Sequence, residues 1–86
     1  MERDRVDVIL RDAAGNYLLV EVKSHIEDED LVPYAQVAKY RTLWHILEKM
    51  PLDAIRCFVA APAICKKTAK KMLADQKIES LAVQWP

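Results

Sequence analysis

The sequence predicts an α/β domain: a mixed sheet made of a hairpin, then helix, strand, helix and strand, with helices on its faces. Two segments with alternating apolar residues, 5–11 and 17–23, flank a short turn and indicate an antiparallel hairpin. A long amphipathic segment before Pro51 indicates a helix, and the apolar run Ile55–Ala61 indicates a buried strand. A strand reached through a helix pairs in parallel with the preceding strand by a right-handed crossover.

The turn sets the register of the hairpin. Asp12 at the first turn position and Gly15 at the last are typical of a three-residue loop, in which the glycine adopts the left-handed conformation. Such a loop pairs Asp12 with Asn16. Counting outward, it places Ile9 opposite Leu19.

The same register gathers four charged residues on one side of the hairpin. Asp7 faces Glu21, Arg5 faces Lys23, and side chains at this parity share a face. Two opposed carboxylates repel each other unless a positive charge lies between them. A divalent metal such as Mg2+ would supply that charge, with waters and substrate phosphates completing its shell. Lys23 would orient or help deprotonate a water on the metal and stabilise charge on a phosphate. The alternative is a cross-strand salt-bridge ladder on a solvated face.

These residues resemble a nuclease signature. Asp7 on one strand and Glu21-Val22-Lys23 on the next resemble the Asp…Glu-x-Lys motif of the PD-(D/E)XK nuclease superfamily, with most similarity to its RecB-like and NucS-like branches. Gln36 and Tyr40 are similar to the Gln-x-x-x-Tyr motif that those branches carry on the following helix. The resemblance spans roughly the first half of the chain.

The resemblance implies a restriction-endonuclease-like core and metal-dependent hydrolysis of DNA. It places a Mg2+ or Mn2+ ion on Asp7, Glu21 and the Val22 carbonyl. It assigns catalytic or supporting roles to Asp7, Glu21, Lys23, Gln36 and Tyr40. The usual N-terminal helix of the family, which often carries a further metal-binding Glu, has no counterpart before Arg5. We therefore expect a trimmed piece, a second copy that completes the layer, or a site with fewer ligands.

The first helix is predicted to follow an acidic link in which Asp30 or Glu29 can cap it, and to end after Met50. Its expected inward stripe, at steps of four, three and four, consists of Gln36, Tyr40, Leu43 and Leu47, widened by Val37 and Trp44. Spacing alone makes Gln36 a boundary residue and Tyr40 a core residue, whereas the motif assigns both to the site.

A second helix is predicted over about residues 63–74, with Ile64, Ala69, Met72 and Leu73 facing inward. Its outward face carries four lysines, here called the lysine cluster: Lys66, Lys67, Lys70 and Lys71. Because the formal net charge is zero, DNA binding would have to use a local patch such as this cluster together with Arg5. The alternative is a solvated face.

Composition bounds the remaining possibilities. At 86 residues the chain is expected to form one domain, and Cys57 and Cys65 lack metal-ligand spacing and are expected to be reduced. No apolar run is long enough to span a bilayer and no signal peptide is evident, which favours a cytoplasmic protein. Gly15 is the only glycine, so a glycine-rich loop for a nucleotide cofactor is excluded.

A bare sheet edge favours a homodimer. The last strand is predicted over residues 78–85. Two other functions stay open: a catalytically inactive nuclease-like domain acting in DNA binding or protein assembly, and a protein-interaction module built around Trp85 and the hairpin edge.

Overall fold

The computed structural model describes residues 7–26 and 30–84. The elements are strands β1 (Val8–Arg11), β2 (Tyr17–Val22), β3 (Ile55–Ala61) and β4 (Ile78–Ala82), helices α1 (Val32–Glu48) and α2 (Lys66–Gln76), and a 3-10 turn, Leu52–Ala54. They form one four-stranded sheet in the order β1-β2-β3-β4, in which β1 is antiparallel to β2 and the other pairs are parallel. The predicted mixed α/β architecture is confirmed.

The hairpin has the predicted loop and register. The Asp12 N–H donates to the Asn16 carbonyl at 2.9 Å, Gly15 has a φ of 90°, and Ile9 pairs with Leu19. The Asp12 carboxylate also accepts the N–H groups of Ala14 and Asn16, each at 2.9 Å. The bond from the Asn16 N–H is the main reason that the pKa of Asp12 lies below its usual 3.8.

Both helices pack on the same face of the sheet within the described residues. The core on this helix-covered face joins side chains of both helices and three strands: Leu19, Val37, Cys57, Val59, Met72 and Ile78. The physical reason is topological. The two crossovers, β2-α1-β3 and β3-α2-β4, move in the same direction along the sheet, and right-handed crossovers in one direction place their helices on one side.

Helix α1 is rotated relative to the predicted stripe. Val37 and Tyr40 are buried as expected, but Leu43 and Leu47 are 42% and 69% exposed, which corrects the prediction. The inward stripe instead continues to Trp44, whose ring packs edge-on against Tyr17 with centroids 5.6 Å apart. Adjacent helical residues differ by about 100° in direction, so a stripe through Trp44 turns Leu43 and Leu47 outward.

The helix ends also differ slightly from the predictions. Asp30 accepts the Val32 N–H at 3.0 Å, so it contributes a first-turn hydrogen bond, although Leu31 occupies the N-cap position. The helix ends at Glu48, and Lys49 takes a left-handed C-cap with φ of 55°. The His45 Nδ1 forms a hydrogen bond with the Met50 carbonyl, which fixes the chain as it leaves the helix.

Helix α2 begins after Cys65 and buries Thr68 and Met72, one turn apart. Leu73 was expected to face inward but is exposed, because it lies one residue from the buried Thr68–Met72 line. The lysine cluster is exposed as predicted. Strand β4 is shorter than predicted, and the expectation for Trp85 lies outside the described residues. Neither α1 nor α2, nor any other described segment, forms a helix that is long and apolar enough to cross a membrane.

Candidate active site

Of the two carboxylates predicted to oppose each other, Asp7 directly precedes β1 and Glu21 lies on the neighbouring strand β2. Val8 pairs with Val20, so the next position places Asp7 opposite Glu21. The Glu21 side chain points to the helix-covered face and the residue is only 3% exposed, whereas Asp7 is exposed. The Asp7 Oδ2 accepts the Val22 N–H at 2.9 Å, which holds this carboxylate against β2.

The environment of Glu21 disfavours its charged form. Burial is the largest cause of its raised pKa, followed by the negative charge of Asp7, and a hydrogen bond with the Asp7 side chain acts in the same direction. Lys23 opposes this shift, because its Nζ lies 3.5 Å from the Glu21 Oε2. The two carboxyl groups are therefore near enough for the charge of Asp7 to affect Glu21. The position of Arg5, the fourth member of the predicted charged row, lies outside the described residues.

The Val22 peptide groups point toward the Asp7 side of β2. The Lys23 N–H donates to the Ala60 carbonyl on β3, at 2.9 Å. Because alternate residues of a strand direct their N–H and C=O groups to opposite neighbours, those of Val22 point toward β1. The hydrogen bond from the Val22 N–H to Asp7 agrees with this direction. The Val22 carbonyl is thus on the side of the strand where Asp7 lies.

The structure places the two motif residues of α1 differently. Gln36 is half-buried near the start of the helix, whereas Tyr40 is 7% exposed and belongs to the core. The Lys39 Nζ lies 5.7 Å from the centroid of the Tyr40 ring. Tyr40 is therefore placed to fix the position of α1, and Gln36 is the residue of the pair with solvent access.

The parallel strands β2, β3 and β4 all end at one edge of the sheet, here called the carboxyl edge. Glu21 and Lys23 lie at this edge, and α1 and α2 both begin after strands that end there. Lys66 and Lys67 occupy the first turn of α2, while Lys70 and Lys71 lie one turn further along the same exposed side. The lysine cluster thus extends from the carboxyl edge along the outside of α2.

A hydroxyl pair near this edge was not predicted. The Tyr34 hydroxyl of α1 and the Ser80 hydroxyl of β4 lie 2.6 Å apart. The sequence indicates only that each side chain faces the core. Tyr34 is three residues before the buried Val37, and Ser80 has the same strand parity as the buried Ile78. The pair ties the first turn of α1 to the outer parallel strand.

The donor set at Asp7 and Glu21 fits a hard divalent cation. The negative charges of these two carboxylates repel each other, and a divalent cation bound between them would offset that repulsion. Mg2+ is commonly held by one or two carboxylates with waters and phosphates. Within residues 7–26 and 30–84, no group of three or more His, Cys, Asp or Glu side chains is close enough to hold a metal. The described part of the chain therefore offers two carboxylates and the Val22 carbonyl.

The two cysteines are free thiols, and the buried one is not suited to catalysis. Cys57 and Cys65 are free thiols, as predicted. Cys57 is buried, its pKa is raised to about 11 by burial, and its Sγ donates to the Val37 carbonyl at 3.8 Å. Neither the position nor the pKa of Cys57 suits a nucleophile.

Solved structures of other proteins share this fold. EndoMS in its apo form matches with a TM-score of 0.69 and 22% identity, over 91% of this chain and 31% of that one. A repair endonuclease from Pyrococcus abyssi matches with a TM-score of 0.71 and 24% identity, over 100% of this chain and 38% of that one. EndoMS in complex with double-stranded DNA matches with a TM-score of 0.73 and 23% identity, over 100% and 36%.

The chain spans about a third of the length of each of these proteins. No protein-family model and no curated protein matches it. The likeness in structure covers the hairpin, both helices and the parallel strands. The chain therefore adopts a restriction-endonuclease-like nuclease fold, and the resemblance first read from Asp7, Glu21 and Lys23 is confirmed at the level of the fold.

Proposed function

We propose that this chain is the catalytic domain of a DNA nuclease that hydrolyses phosphodiester bonds with a divalent cation, Mg2+ or Mn2+. The observation that carries the proposal is the pair of interacting carboxylates, Asp7 and Glu21, with Lys23 beside them. The fold supports it, because the solved proteins that share it include a repair endonuclease and a protein bound to double-stranded DNA.

In the proposed mechanism, Asp7, Glu21 and the Val22 carbonyl would hold the cation. A bound divalent cation supplies Lewis-acid chemistry, lowering the pKa of water and offsetting negative charge on the phosphate. In hydrolysis the water oxygen would bond to phosphorus and give up a proton, the bond from phosphorus to the leaving sugar oxygen would break, and that oxygen would take up a proton from solvent. The Lys23 ammonium positions the attacking water or stabilises the additional charge on the phosphate oxygens.

Gln36 and Tyr40 have supporting roles in this proposal. Gln36 is half-buried on the first turns of α1, so its amide can hydrogen-bond to a site residue or to the substrate. Tyr40 is buried and acts through the position of α1. Loss of Gln36 should lower the cleavage rate, whereas loss of Tyr40 should lower stability first.

The lysine cluster is the proposed DNA-contact surface. Its four ammonium groups are exposed on one helix that begins at the carboxyl edge, where the carboxylates lie. Lysine side chains at such a surface bind the phosphate backbone without reading sequence. Arg5 is proposed to contribute from the hairpin side.

The proposal includes a homodimer. All four residues of β1 are exposed, and within residues 7–26 and 30–84 β1 pairs on one side only, with β2. Such an edge has free backbone groups that can pair with a second copy. A light-scattering mass twice that of the 9.9 kDa chain is expected, and a monomeric mass at high micromolar concentration would contradict this part of the proposal.

A second function is a catalytically inactive domain of the same fold that acts in DNA binding or assembly. It is favoured by the small donor set, since the described residues bring only two carboxylates together. It predicts DNA binding that is independent of metal and of Asp7. The third alternative, a protein-interaction module built around Trp85 and the hairpin edge, predicts that the protein associates without metal and without DNA.

The deciding experiment measures cleavage and Mn2+ binding together. Double-stranded, mismatched, branched and single-stranded DNA are incubated with the wild type, Asp7→Asn and Glu21→Gln in the presence of Mn2+. Matched controls are Asp75→Asn and Glu48→Gln, which change exposed carboxylates on the helices. We expect cleavage by the wild type and both controls, and its loss in both site variants. Normal cleavage by folded Asp7→Asn would rule out the mechanism, and absence of cleavage and of Mn2+ binding in the wild type would favour the inactive domain.

A further inference from the structure

Lys23 is the counter-ion of the Glu21 carboxylate in the protein without metal. Its Nζ lies 3.5 Å from the Glu21 Oε2, and the Glu21 side chain is 4% exposed while that of Lys23 is 37% exposed. Burial and the Asp7 charge both disfavour the ionised Glu21, and the Lys23 charge works against them. The ammonium thus supplies part of the positive charge that two neighbouring carboxylates require.

A divalent cation on the same carboxylates would supply this charge instead. We propose that Lys23 contacts Glu21 only in the metal-free protein, that it competes with the divalent cation for this carboxylate, and that it leaves Glu21 when the cation binds. The inference rests on the proposed function, because it requires that Asp7 and Glu21 bind a cation. It goes beyond that function by assigning Lys23 two positions: paired with Glu21 when the cation is absent, and released from Glu21 when the cation is bound.

Two features of the site support displacement. Since the Glu21 side chain is almost fully enclosed, an ammonium and a divalent cation on it would repel each other in surroundings with little water to screen them. Lys23 is the exposed partner and has a long flexible side chain, so it can move toward solvent while Glu21 stays in place. The ammonium is therefore the group that moves.

Displacement would couple substrate contact to metal loading. While Lys23 is paired with Glu21, its charge is partly neutralised and less able to attract a phosphate. Once released at the carboxyl edge, the ammonium can approach a phosphate that lies against the cation. Lys23 would then act as a positioning residue on the substrate only after the cation has bound.

The first test is the Mn2+ affinity of the DNA-free protein, measured by titration calorimetry. Lys23→Met removes the charge and shortens the unbranched side chain by one atom, and Lys23→Gln is a second variant in case the first does not fold. Lys77→Met is the matched control, because Lys77 is an exposed lysine at the C-cap of α2, away from the carboxyl edge. We expect Mn2+ to bind the Lys23 variants about tenfold more tightly than the wild type, a difference of about 1.4 kcal/mol, and the Lys77 variant to stay within about twofold.

The second test reports the position of Lys23 itself. Wild-type protein is treated with a small amine-acylating reagent with and without saturating Mn2+, and the labelling rate of each lysine is measured by mass spectrometry. Mn2+ should raise the rate at Lys23 severalfold, because the amine leaves its carboxylate, and should leave the rate at Lys77 unchanged. A Lys23 rate that does not respond to Mn2+ would overturn the displacement.

The outcomes separate this inference from the proposed function. Equal or weaker Mn2+ binding by the Lys23 variants, with normal binding by the wild type, overturns the competition and leaves the nuclease proposal intact. Absence of Mn2+ binding in the wild type and in all variants overturns both. Binding by the Lys23 variants alone supports the competition in its strongest form.

Discussion

Glu21 and Ser80 lie at the same level of the sheet, paired with Val59 from its two sides. The neighbouring row on the helix-covered face, Leu19, Cys57 and Ile78, is fully buried and has no charged member. Two residues further along each strand, the helix-covered face therefore changes from this apolar row to a row with the Glu21 carboxylate at one end and the Ser80 hydroxyl at the other. This change occurs at the carboxyl edge, where ligands of open α/β sheets bind.

We predict that Glu21→Gln stabilises the metal-free protein at neutral pH. Glutamine has nearly the same shape, and it removes a charge that burial and Asp7 disfavour. The expected gain in the free energy of unfolding is on the order of 1 kcal/mol, or about 4–8 °C in Tm for a domain of this size. Thermal denaturation followed by circular dichroism checks it, with Glu48→Gln as the control. Destabilisation by Glu21→Gln would mean that the ion pair with Lys23 outweighs the repulsion.

The pH dependence of stability follows from the same residue. The pKa of Glu21 is raised above 4.5 in the folded protein, so between 4.5 and the raised value the folded state binds more protons than the unfolded state. The contribution of Glu21 to stability is therefore fully present below pH 4.5 and is lost as the pH rises through its folded pKa. Urea denaturation of the metal-free protein should show the advantage of Glu21→Gln at pH 7 shrinking as the pH falls toward 4.5. An advantage that does not change with pH would contradict the assignment.

The sequence was most informative where local chemistry decides the structure. The Asp12 and Gly15 loop fixes the hairpin register, because a one-residue slip would reverse every side chain, and this register placed Asp7 opposite Glu21. The Ile55–Ala61 run was enough to find the central strand, since a strand buried on both faces is almost wholly apolar.

The errors arose where long-range packing decides. The apolar positions of α1 allow two adjacent stripes, and the contact between Trp44 and Tyr17 selects the one that leaves Leu43 and Leu47 exposed. The Tyr34–Ser80 pair joins residues 46 positions apart, so no local pattern connects them. The side of the sheet on which the helices pack depends on the strand order, and local sequence patterns do not predict that order.

The Tyr34 and Ser80 hydroxyls are predicted to be coupled. Either Tyr34→Phe or Ser80→Ala leaves the other hydroxyl without its partner, at a cost of about 1–2 kcal/mol, and the double variant should cost less than the sum. A double-mutant cycle by urea denaturation should give a coupling of about 1 kcal/mol. Thr42→Ala, which removes an exposed hydroxyl bonded to the Ala38 carbonyl, serves as a single-variant control. Additive effects would show that the contact does not hold α1 to β4.

Gly15→Ala should destabilise the fold through the backbone. Gly15 has a φ of 90°, and an added Cβ would meet only the end of the Arg11 side chain at 3.7 Å, so steric overlap is not the cause. The cost of this φ for an L-residue is about 1–2 kcal/mol. Ala14→Gly, at the preceding loop position, should cost less. Chemical denaturation checks both variants, and a neutral Gly15→Ala would show that the loop can adopt another turn type.

The lysine cluster is predicted to determine the salt dependence of DNA binding. Each lysine that neutralises a phosphate contributes about 0.9 to the slope of log K against log[salt] on duplex DNA. Replacing Lys66 and Lys70 by Gln should therefore lower the slope by about 2 and weaken binding equally for unrelated sequences. Lys49→Gln with Lys77→Gln is the matched control, since both are exposed lysines at the C-caps of the two helices, away from the carboxyl edge. The slopes of log K against log[salt] are measured by fluorescence anisotropy of labelled DNA in a buffer that contains Ca2+, over a range of salt concentrations. If the control pair lowers the slope as much as Lys66 and Lys70 do, the DNA lies on another surface, and the lysine cluster is a solvated face.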